Sequence, residues 1–274
     1  MKFWLKVRHI DRRIIFLLML LGVGVPLLID IGLPVRVTPD VKAIYDYVNN
    51  LKEGDVILLS YDHDTGTLPE MVPMSTAILR HAFSKNIRVV GMALRAEGTA
   101  IGRQAFRRVG AEYSKTEGVD YVFLGYRPEI VATILGLGSS FERVFPKDDR
   151  GIPVEEIPLL KEVHSYGDIA LVISISDDDT PVYWINYGNA RYQVKVTPAV
   201  TAVMATTFFP FLDSHQAQGM IAGLKGAAEY ERLIDKLEMA SRGMDAQSIA
   251  HLVVLGFILV GNIAYFATKG KKLE

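Results

Sequence analysis

Three groups of side chains have types and spacings that could do chemistry: Asp62-His63-Asp64, the run Asp177-Asp178-Asp179, and the arginines Arg95 and Arg127 with Glu97 near the first of them. Carboxylates beside a histidine resemble, in residue type alone, a hard-cation or histidine-carboxylate metal site. On an extended segment neighbouring side chains point to opposite sides, so at most Asp62 and Asp64 would face one ion. The plainer reading is a polar loop that caps the helix after it, and no metal site is assigned. Arg95 and Arg127 suit an anion, or pairing with the nearby acids Glu97 and Glu129.

Other chemistries find no support. The chain has no cysteine, which removes thiolate catalysis, thiolate metal ligation and disulfides. GTAIG at Gly98–Gly102 lacks the lysine and hydroxyl residue of a phosphate loop, and GLGSS at Gly136–Ser140 follows a helical stretch rather than a strand. No G-x-S-x-G occurs, so a serine hydrolase would need an unmarked serine such as Ser60 or Ser139 with His63, His164 or His215. No cofactor is expected, and no motif specifies a reaction.

What lends these side chains interest is their position. Each follows a short apolar run of the kind that forms a strand buried on both faces: Val56–Leu59 within DVILLSYDHD, Ile87–Leu94, Asp120–Gly125 and Ile169–Ser176. Apolar residues at helical spacing separate the runs, over Pro39–Leu51, Glu70–Lys85, Ile101–Ser114, Pro128–Leu137 and Val154–Val163. Strand and helix in alternation predict an α/β fold with a parallel sheet. In that alternation alone the chain resembles Rossmann-like and flavodoxin-like sheets, and neither implies a function. Ligands of open α/β sheets bind beyond the carboxyl ends of the strands, so Asp62, His63, Asp64, Arg95, Glu97, Arg127, Asp177 and Asp178 are the candidate ligand-binding residues.

After the fourth strand the pattern changes. Pro181–Ile185 and Arg191–Val196 flank the turn-like NYGNA and are read as a hairpin or a sheet edge. The apolar stretch Pro198–Leu212 contains threonines and Pro210 and lacks a basic flank; it is read as a buried part of the domain or a segment resting on lipid, not a third span. Ser214–Arg242 is read as one long helix whose Gly219, Gly223 and Gly226 form a small-residue face packed against the domain's own sheet or against a second copy of the protein, with a non-helical turn as the remaining reading.

Both ends of the chain are read as membrane spans. Residues 1–13 form a basic tail, 14–35 an apolar run closed by Asp30 near the far interface, 248–268 a second apolar run and 269–274 another basic tail. The absence of a small-x-small site after the first run favours an uncleaved anchor over a signal peptide. Lysines and arginines near spans stay in the cytoplasm, which places both termini there. Residues 36–247 then form an α/β domain outside the cytoplasmic membrane, periplasmic or extracellular.

The tails hold eight of the 30 basic residues, whereas the tails and the first apolar run together hold only three of the 31 acidic ones, Asp11, Asp30 and Glu274, so this outer domain is net acidic although the whole chain is at −1. That balance argues against nucleic acid as a partner. The lipid bilayer, and other copies or membrane proteins reached through the glycine helix, the spans and Asn262, are the expected partners. The function expected first is a membrane-anchored scaffold that assembles an oligomeric complex. The alternative is a module binding a small ligand or metal, or a hydrolase using the strand-end carboxylates.

Overall fold

A computed structural model describes residues 3, 4, 7, 10–29 and 31–269. Asp30 and the tail residues Lys2, Lys6, Arg8, Lys271 and Lys272 lie outside the described residues. The chain divides into two units, Val35–Ala240 and the paired ends Met1–Pro34 with Ser241–Glu274.

The first unit carries a six-stranded sheet. In chain order its elements are α2 (Pro39–Asn49), β1 (Val56–Asp62), α3 (Leu68–Ser84), β2 (Arg88–Ala93), α4 (Ala96–Glu112), β3 (Tyr121–Tyr126), α5 (Ile130–Leu137), α6 (Phe141–Val144), β4 (Leu171–Ser176), a helical segment α7 that opens with Thr180–Tyr183, β5 (Val196–Val200), α8 (Ala205–Asp213), β6 (Ile221–Ala222) and α9 (Gly223–Leu233). α1 (Arg12–Leu28) and α10 (Met239–Thr268) flank them. All strand pairs are parallel, in the order β3-β2-β1-β4-β5-β6. This is the doubly wound Rossmann-like order and not the flavodoxin-like one. Its winding reverses between β1 and β4.

Every residue of β1 and β4 is buried, because helices cover both faces of the sheet. Alternation along β1 sends Ile57, Leu59 and Tyr61 to one face, where the Tyr61 ring meets Phe106 of α4 and Phe123 of β3 edge-on. Val56 and Leu58 face the other way, into an apolar cluster with Val172, Phe141, Tyr166 and Trp184. Ser60 and Asp62 follow on that same face. α4 lies unusually close to β1: a Cβ on Gly98 would sit 1.9 Å from the Tyr61 carbonyl oxygen.

Three expectations are corrected. Pro181–Ile185 and Arg191–Val196 make no hairpin; α7 continues through a π-helical turn, Trp184–Asn189, to Ala190–Tyr192, and only Val196 joins a strand. Thr180, Pro181, Trp184, Ile185 and Gly188 are its buried residues, a helical spacing that the turn-like NYGNA obscured. Val154–Val163 forms two short 3₁₀ turns, since Pro153 and Pro158 interrupt any longer helix.

The third concerns Ser214–Arg242, which is not one helix. Gly219 and Gly223 take φ values of 150° and 62°, outside the right-handed region, and β6 lies between them. Their absent Cβ atoms make room for the Asp40 carbonyl and Ala202, while Gly226 lies against Ile221. The three glycines therefore serve packing inside their own domain and form no helix face. Pro198–Leu212 divides into the end of β5, a 3₁₀ turn and α8, and the apolar helix Ala202–Asp213 is too short to cross a bilayer.

In the second unit, α10 is 30 residues long and apolar, and it is the one helix among the described residues long and apolar enough to span a membrane. The 17 residues of α1 reach about 25 Å at 1.5 Å per residue, short of a hydrocarbon core of about 30 Å. Gly22 of α1 faces Val253 and Ile249 of α10, and the buried Asp245 carboxylate accepts from the backbone N–H groups of Gly32 and Leu33. Asn262 donates to the Ile258 carbonyl of its own helix.

Candidate functional site

The parallel register pairs Ser60 with Ser174 and Asp62 with Ser176 at the carboxyl ends of β1 and β4. Period-two alternation puts all four side chains on one face. Asp62 is fully buried; its Oδ1 accepts from Ser60 Oγ and Leu94 N, each at 2.8 Å, and its Oδ2 accepts from Ser174 Oγ at 3.1 Å. Burial pushes its carboxyl up to about 6, aided by the charge of Asp178 and opposed by those three donors. Ser176 donates to the Asp62 carbonyl oxygen and to Asp178 Oδ1.

The loops beyond these strand ends interlock. Asp177 Oδ2 accepts from Asp64 N at 3.0 Å and from Thr67 Oγ1 at 2.9 Å. Asp178 Oδ1 accepts from the backbone N and hydroxyl of Thr180, starting α7. Burial works to raise the Asp178 carboxyl, but those bonds, Ser176 and Arg95 outweigh it and hold it below its ordinary value. Arg95, the residue before α4, reaches Asp178 Oδ2 at 2.6 Å and Asp177 Oδ1 at 3.5 Å.

His63 is buried, and burial lowers its pKa, so its ring is neutral near pH 7. Nδ1 lies 3.0 Å from the Asp64 carbonyl oxygen, which can only accept. Nδ1 therefore carries the proton and Nε2 is an acceptor. Nε2 is buried without a hydrogen-bond partner. An unfilled buried acceptor costs about 1–3 kcal/mol, a cost that a ligand hydroxyl or N–H would remove.

Six of the candidate residues, Asp62, His63, Asp64, Arg95, Asp177 and Asp178, thus converge where the winding reverses. Glu97 is exposed in the first turn of α4. Arg127 belongs to another place, with its guanidinium 5.1 Å from the Phe145 ring centre. Arg95 pairs with the aspartates after β4, not with Glu97. Among the described residues no three His, Asp or Glu side chains are placed to hold a metal ion. Asp62 is turned inward to its three donors, and Ser60 donates to Asp62 rather than to a histidine.

Ser174 and Ser176 were not among the sequence candidates, and Ser60 was weighed only as an unmarked hydrolase serine. Their signal was the alternation S-x-D at the end of β1 and S-x-S at the end of β4, polar residues on one face of strands otherwise apolar on both.

No family model and no curated protein matches this chain. Among solved structures it is similar to a trehalose-6-phosphate synthase, OtsA, at 10% identity and a TM-score of 0.34 over 84% of this chain and 45% of that one. The chain spans less than half the length of that structure, and a likeness at this score carries no argument about activity.

Proposed function

We propose that the protein is a membrane-anchored binding module whose α/β domain takes a small ligand at the carboxyl ends of β1 and β4. The observation that carries this reading is His63 Nε2, a buried acceptor with no donor, beside the carboxylates of Asp64 and Asp177. The ligand is neutral or cationic and rich in hydroxyl or N–H donors. A dinucleotide or other phosphate is disfavoured, because the loop after β1 is acidic where a phosphate loop is glycine-rich. The assembly reading loses one of its supports, the glycine face, and keeps the outer domain, the spans and Asn262.

Calorimetric titration of the full chain in detergent with glucose, glycerol and putrescine tests the site. At least one probe should bind saturably. His63→Phe, which keeps the ring but removes the acceptor, should weaken that binding at least tenfold, equivalent to about 1.4 kcal/mol. No binding of any probe, or binding indifferent to His63→Phe and to Asp177→Asn, would overturn the reading.

In the same proposal both α1 and α10 span the membrane, both termini are cytoplasmic and the domain lies outside. The outward-facing apolar residues of α1, with Phe16 and Leu20 each 68% exposed, and the basic flanks support it. Since the chain has no cysteine, Lys161→Cys on the exposed surface gives a clean probe. A membrane-impermeant maleimide should label it in cells whose cytoplasmic membrane is intact; labelling only after lysis would place the domain inside.

A further inference from the structure

A second concavity, of about 340 Å³, lies beyond the end of β3 and shares none of the converging residues at β1 and β4. Thr99 and Arg103 of α4, Arg127 after β3, and Lys147 and Asp149 of the following loop line it. The loop is built to be there. Gly125, at φ 92°, lets the Asp149 backbone and Cβ approach β3, Asp149 N donates to the Phe123 carbonyl, and Lys147 bridges to Pro153.

Unsatisfied groups concentrate in this cleft. Thr99 Oγ1, Arg127 Nε and Asp149 Oδ1 are buried without a hydrogen bond, while Asp149 Oδ2 is paired with Arg103 Nε. The Asp149 side chain is only 2% exposed and has the charge of Arg103 beside it. Burial raises its carboxyl above the ordinary value in spite of that cation. Asp148, which also lines the cleft, is occupied by Arg150 and by the backbone N–H groups of Arg150 and Ile152. With Arg103 balanced by Asp149 and Arg150 by Asp148, the charges left over are those of Arg127 and Lys147, both positive.

We infer that this cleft binds a small organic anion bearing a hydroxyl group next to its charge, a phosphate or a carboxylate. Arg127 and Lys147 supply the charge for the anionic end, and the Arg127 guanidinium lies over the Phe145 ring, 5.1 Å from its centre. Asp149 Oδ1 and Thr99 meet the hydroxyl, which gives that oxygen the donor it lacks, Oδ2 being paired with Arg103. The site differs in sign from the acidic cluster at the ends of β1 and β4.

The test is calorimetric titration of the full chain in detergent with sn-glycerol 3-phosphate, glycolate and inorganic phosphate. One of the two hydroxylated anions should bind saturably and more tightly than inorganic phosphate; glycerol 3-phosphate as the better ligand marks a phosphate site, glycolate a carboxylate site. Arg127→Met, which keeps the stem on Phe145, and Lys147→Met at an exposed position should each weaken binding at least tenfold. Asp149→Asn should remove the preference over inorganic phosphate, and Arg95→Met should change nothing. Failure of both hydroxylated anions to bind saturably, or binding unchanged in Arg127→Met and Lys147→Met, would overturn the inference whatever the outcome at His63.

Discussion

Asp62→Asn is expected to flatten the pH dependence of stability between pH 7 and pH 4. In the folded chain burial holds the Asp62 carboxyl at about 6, above the 3.8 of an unperturbed aspartate. Between those values the native state binds a proton that the unfolded state does not, so stability rises as pH falls. The stabilisation is fully present below the unfolded pKa and is lost as pH rises through the folded one. A shift of this size corresponds to about 3 kcal/mol for a fully buried group.

Asparagine is close to isosteric, keeps an oxygen for Ser60 and Leu94 N, and offers N–H to Ser174, whose hydroxyl can turn to accept. The wild type should therefore gain about 2 kcal/mol on Asp62→Asn when pH is lowered from 7 to 4, equivalent to about 4–8 °C in Tm for a domain of this size. Asp62→Ala differs: it leaves two hydroxyls and one backbone N–H without an acceptor, and should lower stability by about 4 kcal/mol at pH 7. Of the two tryptophans, Trp184 is fully buried, so its emission reports unfolding of the sheet domain. Parallel curves of stability against pH for wild type and Asp62→Asn would show that Asp62 does not titrate in this range.

Gly98→Ala should cost about 3 kcal/mol, and it acts through backbone rather than through a side chain that could move away. The added methyl would lie 1.9 Å from the Tyr61 carbonyl oxygen and 2.8 Å from its carbon. No rotamer relieves this, so α4 must withdraw from β1 by more than an ångström, opening the contacts of Phe106 with Tyr61 and Phe123. Gly256→Ala in α10, where nothing lies within 4 Å of the new methyl, is the control and should leave Tm unchanged. Equal Tm values for Gly98→Ala and wild type would mean that α4 sits further from β1 than described.

Much of this arrangement was legible in advance, for identifiable reasons. β1 to β4 appear in the sequence as continuous apolar runs because parallel strands with helices on both faces have no polar side to show. The position of Asp64, Arg95, Asp177 and Asp178 after those runs then followed from the general siting of ligands at strand ends. Which loops meet did not follow, since that depends on strand order. Only the pairing of β1 with β4 separates their crevice from the one lined by Arg127.

What escaped notice lies where local signals mislead. NYGNA looks like a turn between strands, yet Trp184 and Ile185 are drawn into the core at helical spacing. Gly219, Gly223 and Gly226 suggested one surface because a helix was assumed; two of them take conformations that end helices. Arg103, Lys147 and Asp149 stood on a helix flank and in an irregular loop, and only the tight approach of that loop to Gly125 brings them together.

The strand order also bears on how the chain acquires its structure. β1, β2 and β3 pair with near neighbours along the chain, but the second side of β1 waits for β4, whose Leu171 pairs with Ile57. At about 5–20 residues added per second during synthesis, some 10 s or so separate the emergence of these two partners. Through that interval the apolar edge VILLSY has no neighbour on one side and Asp62 lacks Ser174. Contacts so distant in sequence make folding slow and the waiting edge prone to aggregation. The docking of β4 ends that exposure and, in the same event, brings together the carboxylates at the strand ends.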